Sequence, residues 1–229
     1  MTTMITSPHP SLPDPNDERA IEAHKNEVLT TYAALFELID RALQDSIPKA
    51  KNVFDLLGGP VELTVHAGLT RYLTRLFLTS RNISTEEEEQ IAFDLERVSN
   101  CGLCVNHGLC QIRILKAAPQ GIPKATSDAR SRFYCSNQYS LRFDRDESNS
   151  TNPTPVTLVL LWSMGAEHSY GGLLIACPRR ERADGTVDCY WITPWQRGEE
   201  TLSIRETRPT APESDLNEIR RRDDSKASS

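Results

Sequence analysis

The sequence predicts an α+β fold in which about three N-terminal helices pack on a C-terminal antiparallel sheet of five or six strands. Two observations predict this class. Apolar residues recur at helical spacing in the first hundred residues, and they recur at strand spacing or in short runs after Asn100. Short segments between successive strands favour antiparallel pairing, and the apolar face of such a sheet needs helices as its cover.

The first predicted helix begins near Asp14 or Asn16, whose side chains can cap it, and runs to about Ser46. Pro48 is expected to end it, because proline inside a helix removes a backbone hydrogen bond. Its apolar positions recur at steps of three, four or seven and form a stripe that faces the core: Ile21, Val28, Tyr32, Leu35, Ile39 and Leu43.

A second helix is predicted from Pro60 to about Ser80, and a third is predicted to begin at Ser84. In the third, Ser84 and Glu87 have the spacing of a capping box, and the acidic run at 86–89 suits the first turn of a helix. The apolar face of the second helix consists of Val65, Leu69, Tyr72, Leu73, Leu76 and Phe77. That of the third consists of Ile91, Leu95 and Val98.

Strands are predicted where apolar and polar residues alternate, because successive side chains of a strand point to opposite faces. The first clear strand is predicted at 133–143, where only Asn137 interrupts the alternation. The segment Val156–Met164 is apolar at almost every position, as expected of a central strand. Further strands are predicted at 111–115, 170–177, 187–193 and 201–206.

The chain of 229 residues is expected to form one composite domain with polar ends. Its predicted parts are a disordered lead (1–14), a helical part (15–100), a Cys/His junction (101–118), an antiparallel β part (119–206) and a disordered tail (207–229). The lead is rich in proline, and the tail has few large apolar side chains. Neither is expected to offset the entropy lost on ordering.

Composition and charge exclude several classes of protein. With 38% hydrophobic and 25% charged residues, the chain has the balance of a globular domain. Its net charge of -6 argues against binding of nucleic acid through phosphate neutralisation. The N-terminus lacks a signal-peptide pattern, and the longest apolar run is too short to cross a bilayer. We therefore expect a soluble intracellular protein, cytoplasmic or nuclear, that is neither secreted nor bound to a membrane.

Three of the six cysteines lie with a histidine in one short segment at the predicted junction of helices and sheet. The pattern is C-x2-C-x2-H-x2-C, and thiolate and imidazole groups are the usual ligands of structural Zn2+. It predicts a zinc site with four ligands: Cys101, Cys104, His107 and Cys110. Two alternatives stay open, since the cysteines also fit plain buried thiols or redox and iron–sulfur chemistry.

The sequence lacks zinc-deaminase and zincin patterns, a nucleophile elbow and phosphate-binding glycine loops. We therefore interpret the chain as a non-enzymatic interaction or regulatory protein, stabilised by a Cys/His zinc knuckle at the helix–sheet junction. A protein partner is expected, and a second copy of the chain is an alternative. The residues predicted to bind the partner are Trp195, near a strand end, and three arginines of one hairpin loop, Arg179, Arg180 and Arg182.

Two other functions are carried forward as alternatives. One is an enzyme that uses a cysteine of the cluster as its nucleophile, with His107 or His168 as the base, or that uses a metal held by the cluster. The other is a nucleic-acid binder that uses the arginine-rich edge of the sheet.

Overall fold

The computed structural model describes residues 12–83, 93–98, 102–119, 121–143 and 156–196. The helices are α1 (Glu18–Thr31), α2 (Ala33–Leu57), α3 (Leu63–Ile83) and α4 (Asp128–Phe143), and a short 3-10 helix spans Ala166–His168. The strands are β1 (Asp94–Val98), β2 (Gly102–His107), β3 (Cys110–Lys116), β4 (Val156–Met164), β5 (Tyr170–Glu181) and β6 (Val187–Pro194).

The six strands of the described residues form one sheet, in which they lie side by side in sequence order. Pairing is antiparallel from β1 to β3 and from β4 to β6. In contrast, β3 and β4 run parallel, with Ile112 beside Leu158. Parallel neighbours need a crossover connection, and α4 lies in it. The α+β class is confirmed, whereas the prediction of a purely antiparallel sheet was wrong at this pair.

Both faces of the sheet are covered. The side chains of 156–162 in β4 are all buried, which confirms that this segment is a central strand. Leu158, Leu160 and Trp162 belong to the core on the side of α1, α2 and α3. Val159 and Leu161 belong to a second core on the side of α4.

The first predicted helix is present as two helices, α1 and α2, which meet at Tyr32. The N-cap is Asp17, one residue beyond Asn16, and its carboxylate accepts hydrogen bonds from the backbone N–H groups of Arg19 and Ala20 (2.9 and 3.1 Å). The predicted apolar stripe is confirmed as core, with these residues buried: Val28, Tyr32, Leu35, Ile39 and Leu43.

Pro48 lies inside α2 and does not end it, since the helix continues to Leu57. Its neighbours Ile47 and Ala50 are fully buried. A proline inside a helix costs about 3 kcal/mol, whereas burial of a single Ile contributes about 1.5–3 kcal/mol. The expectation that the helix stops at Pro48 was wrong because packing along the whole of α2 outweighs this local cost.

Two segments differ from the sequence analysis in the type of element. Residues 94–98, expected at the end of a third helix, form β1, and the segment 133–143, expected as a strand, belongs to α4. In α4 the buried positions include Phe133, Tyr134 and Asn137, a spacing that fits one side of a helix. The acidic run at 86–89 and the strand predicted at 201–206 lie outside the described residues.

Asn137, which interrupts the strand pattern in the sequence, attaches α4 to the sheet. Its Nδ2 group donates to the backbone carbonyls of Thr157 in β4 and Pro178 in β5 (2.9 and 2.7 Å). Its Oδ1 atom accepts a hydrogen bond from the backbone N–H group of Thr157 (2.8 Å). One buried amide thus supplies partners for backbone groups of two strands, which buried backbone groups require.

A second polar contact joins α1 to β6, the last strand of the sheet. The indole Nε1 group of Trp191 in β6 donates to Nδ1 of His24, which is buried in α1 (3.0 Å). Burial lowers the pKa of His24 to about 4, so its ring is neutral at physiological pH and remains able to accept this bond. His24 therefore has a packing role.

We expect the substitution Asn137→Ala to lower the free energy of unfolding by about 2–4 kcal/mol, because it leaves buried backbone groups without partners. Urea denaturation measures this change. Asn52→Ala, at an exposed position of α2, is the control and should change the value by less than about 0.5 kcal/mol. Equal effects of the two substitutions would show that Asn137 does not hold α4 on the sheet.

Candidate functional site

The hairpin of β2 and β3 carries three of the four predicted zinc ligands, and Cys101 lies outside the described residues. His107 and Cys110 are directly opposite each other across the hairpin, so their side chains share one face of the sheet. Helices α1, α2 and α3 cover this face. There the His107 ring contacts the ring of Tyr32, the residue between α1 and α2. Cys104 packs in the core on the α4 side.

The sheet therefore separates the Cys104 sulfur from the His107 ring and the Cys110 sulfur. A single zinc ion needs its ligand atoms within about 2.0–2.3 Å, and side chains on opposite faces of a sheet do not meet that condition. Within the part of the chain that the structure describes, no three His, Cys, Asp or Glu side chains are grouped to hold a metal ion. A zinc site made by all four residues stays a prediction, and the described geometry does not support it.

Burial also changes the chemistry of the two thiols. It raises the pKa of Cys104 to about 11, with the charge of Glu96 adding to the shift and that of Arg113 opposing it. It raises the pKa of Cys110 well above its usual value. Because the thiolate is the form that attacks substrates or binds metals, both side chains are in their unreactive form at neutral pH.

The three arginines predicted to bind a partner lie at the far end of β5 and in the turn that follows. Asp188 of β6 forms ion pairs with Arg180 and Arg182 (2.8 and 2.6 Å between N and O atoms). The guanidinium group of Arg179 lies over the ring of Tyr190, 5.9 Å from its centroid. These contacts reduce the positive charge that the loop offers to a nucleic acid.

Trp195 follows β6 and is half-buried against α2. Its ring meets the ring of Phe36 edge to face at a centroid distance of 5.4 Å, and its backbone N–H group donates to the carbonyl of Leu173 (2.9 Å). These contacts extend the core at the end of β6. A role of Trp195 in partner binding stays a prediction.

The largest departure from the sequence analysis is the orientation of α3. Val65, Tyr72 and Leu76, which lie on the predicted apolar face of this helix, are 50, 57 and 48% exposed. The buried face consists instead of small and polar side chains with one leucine: His66, Ala67, Thr70, Thr74 and Leu78. Helix α3 thus leaves several large apolar side chains exposed and buries three polar ones, which departs from the pattern of the usual surface helix.

Exposed apolar side chains continue from α3 onto the end of α2. Leu56 and Leu57 are 86 and 77% exposed, and Leu63 lies just beyond the turn that Gly58 begins in a left-handed conformation (φ 67°). We define the α2–α3 apolar surface by these residues: Val53, Leu56, Leu57, Leu63, Val65, Tyr72 and Leu76. Exposed apolar patches are typical of surfaces that bind other molecules.

The polar side chains on the inner side of α3 bond to one another within the helix, and one of them packs on α2. Thr74 donates to the carbonyl of Thr70 (2.8 Å), and the Thr70 hydroxyl lies 3.5 Å from Nδ1 of His66. The His66 ring stacks on Phe54 of α2 with a centroid distance of 6.2 Å. Burial lowers the pKa of His66, an effect that the backbone carbonyl of Ile47 opposes. The inner side of α3 is therefore packed, whereas its outer apolar side is exposed in the described residues.

The turn between β4 and β5 also lies beside α3. Glu167 and His168 have positive φ angles of 55 and 59°, a conformation that costs a non-glycine residue about 1–3 kcal/mol. The His168 ring is 6.0 Å from the His66 ring, between centroids. Just after the turn, the Tyr170 hydroxyl donates to the carboxylate of Asp40, which is buried in α2. His168, an alternative catalytic base in the sequence analysis, thus has a second histidine as its neighbour.

No family model, curated protein or solved structure matches the chain. Among the described residues, no helix is both long enough and apolar enough to cross a membrane.

Metal analysis of the purified full chain tests the zinc prediction. If the four predicted residues bind one ion, zinc is present at one equivalent, and Cys104→Ser and Cys110→Ser each remove it. From the opposite orientations of these two side chains, we expect that no single ion depends on both. Loss of a stoichiometric zinc ion in both variants, with Cys135→Ser unaffected as the control, would contradict this expectation.

Proposed function

We propose that this protein is a non-enzymatic interaction protein that binds an acidic amphipathic helix of a partner protein on its α2–α3 apolar surface. The observation that carries the proposal is the outward-facing apolar stripe of α3. A helix that packs its polar side inward and leaves leucine, valine and tyrosine in solvent gains stability when another apolar surface covers them.

The spacing of the stripe favours a helix as the ligand. Val65, Leu69, Tyr72 and Leu76 are separated by four, three and four residues, which aligns them along one side of α3. An amphipathic helix has its anchors at the same spacing, so two such helices can lie side by side. Tyr72, near the middle of the stripe, is a residue type that often dominates binding energy at interfaces.

The charge of α3 favours an acidic partner. The segment 63–83 contains Arg71, Arg75 and Arg81 and no Asp or Glu. By helical geometry, Arg75 lies beside the apolar stripe, whereas the Nε atom of Arg71 is buried. Acidic residues beside the apolar face of a partner helix would complement these charges, whereas the same face of a second copy would bring arginines together.

The alternative functions have less support in the described residues. Nucleophilic catalysis requires a thiolate, and burial raises the pKa values of Cys104 and Cys110. A nucleic-acid surface at the β5–β6 turn would compete with Asp188 for Arg180 and Arg182. The zinc knuckle is not required for binding at α3 and remains a separate proposal.

Fluorescence anisotropy with designed peptides tests the proposal on the full chain. One labelled helical peptide carries leucines at the spacing of the α3 stripe with glutamates beside them, and its twin carries lysines instead. We expect the acidic peptide to bind at least about tenfold more tightly than its twin. Tyr72→Ala and Leu76→Ala should each weaken binding by about tenfold or more, while Ile192→Ala, at an exposed apolar site of β6 on the α4 side of the sheet, should not.

Three results would contradict the proposal. Equal binding of the two peptides would show that the surface does not prefer an acidic partner. Peptide binding that Tyr72→Ala leaves unaffected would show that the peptide binds elsewhere on the protein. A dimer in sedimentation experiments that Leu76→Ala dissociates would make a second copy the occupant. If neither peptide binds and the protein adsorbs to anionic lipid vesicles in a manner that requires Tyr72, the α2–α3 apolar surface binds lipid instead of a protein helix.

A further inference from the structure

A row of polar side chains crosses three strands on the face of the sheet opposite α3. Glu96 of β1 is paired with Cys104 of β2, which is paired with Arg113 of β3, so the three side chains point to the same face. Helix α4 packs on this face, mainly over β4 and β5. The row therefore lies beside the helix, where its first turn brings in Arg130.

Arg113 is enclosed in a manner that is unusual for an arginine. It is 7% exposed, and its guanidinium carbon lies 5.3 Å from the centroid of the Phe133 ring of α4. Its Nε atom is fully buried and has no hydrogen-bond partner among the described residues. A guanidinium group stays charged in proteins, and a buried charge is normally paired.

The neighbours of Arg113 increase the positive charge instead of balancing it. Burial lowers the pKa of the Arg113 guanidinium, and the positive charge of Arg130 lowers it further. The Nε atom of Arg130 is also buried without a partner among these residues, although a terminal nitrogen donates to the carbonyl of Lys124 (3.2 Å). The opposing charge in the described surroundings is that of Glu96, which is exposed on β1.

The other two groups that face this arginine pair are neutral. Burial raises the pKa of the Cys104 thiol to about 11 and that of the Tyr134 hydroxyl to about 12, so both are protonated at physiological pH. The Tyr134 hydroxyl already donates to the carbonyl of Pro123 (2.9 Å). Two guanidinium groups thus lie in a partly enclosed region with the exposed carboxylate of Glu96. Glu181, whose charge acts on Tyr134, accepts a hydrogen bond from the Ser131 hydroxyl of α4.

We propose that Arg113 and Arg130 bind a small phosphate-type oxyanion, such as a phosphate monoester, at the edge of α4. The anion supplies both the missing negative charge and acceptor oxygens, and the planar guanidinium fork matches the geometry of phosphate oxygens. Phe133 holds the plane of Arg113, and the Lys124 carbonyl orients Arg130. The ligand is small because Arg113 is enclosed, whereas the backbone of a nucleic acid needs cations on an open surface.

Isothermal titration of the full chain with inorganic phosphate, against sodium chloride at matched ionic strength, tests this site. We expect one saturable site per chain. Arg130→Gln should weaken phosphate binding by at least about tenfold, because it removes the charge and the fork. Arg132→Gln removes the same charge from an exposed position of α4 and should leave the affinity within about twofold. Arg130 is half-buried, so its substitution avoids the risk to folding that Arg113→Gln carries.

The outcomes separate this site from the peptide-binding surface, because the two lie on opposite sides of the sheet. Absence of saturable phosphate binding overturns the proposal, and so does an equal effect of Arg130→Gln and Arg132→Gln, which would indicate non-specific charge screening. If single-stranded DNA binds more tightly than phosphate and its binding also depends on Arg130, the ligand of this site is a nucleic acid and not a small anion. Tyr72→Ala, which lies in the other site, should leave phosphate binding unchanged.

Discussion

A strand that is buried on both faces, β4, sets the requirements for the rest of the molecule. Its side chains at 156–162 are enclosed on either side, so the sheet needs two covers. Helices α1, α2 and α3 provide one, and α4 provides the other. The parallel pairing of β3 with β4 follows from the same requirement, because the crossover that carries α4 to the second face returns the chain parallel to β3. Asn137 completes this arrangement by bonding to the backbone of β4 and β5.

The two covers give the two faces of the sheet different chemistry. On the side of α1, α2 and α3 the core is large and apolar; it encloses Cys110, and the half-buried His107 ring contacts Tyr32 at its margin. On the side of α4 the cover ends near β3, and charged side chains occupy the row that begins at Glu96 and reaches Arg113. The cysteine pattern that looks continuous in the sequence is divided between these faces. Its buried, protonated thiols behave as core residues, while the arginines beside them have the character of a binding site.

The sequence predicted an element correctly where one local pattern has one physical meaning. The stripe through Val28, Leu35 and Ile39 and the apolar run of β4 are both confirmed, because each is long and strongly periodic. Residues 133–143 were assigned wrongly because apolar side chains fall on alternate positions, although the buried side of α4 follows a helical spacing. The helix end predicted at Pro48 was wrong for a different reason, since the packing of α2 outweighs the free-energy cost of a proline inside a helix.

The candidate sites could be predicted only in part. Periodicity identified α3 and its apolar stripe, but it does not reveal which side of a helix packs against the rest of the chain, so the exposure of the stripe could not be predicted. Spacing identified the cysteine cluster, but a ligand set also depends on the face to which each side chain points. The pair formed by Arg113 and Arg130 gave no sequence signal, because the two residues come from different elements and are brought together by the crossover of α4.

The proposed binding surface depends on the outward orientation of the α3 stripe. The free energies of unfolding of two matched variants test this orientation most directly. Leu76 is 48% exposed, whereas Leu78, two residues further along α3, is fully buried. Urea denaturation of the isolated chain should show that Leu76→Ala changes the free energy of unfolding by less than about 0.5 kcal/mol. Leu78→Ala should lower it by about 2–5 kcal/mol. If Leu76→Ala is as destabilising as Leu78→Ala, the stripe is buried in the native chain and the proposed binding surface does not exist.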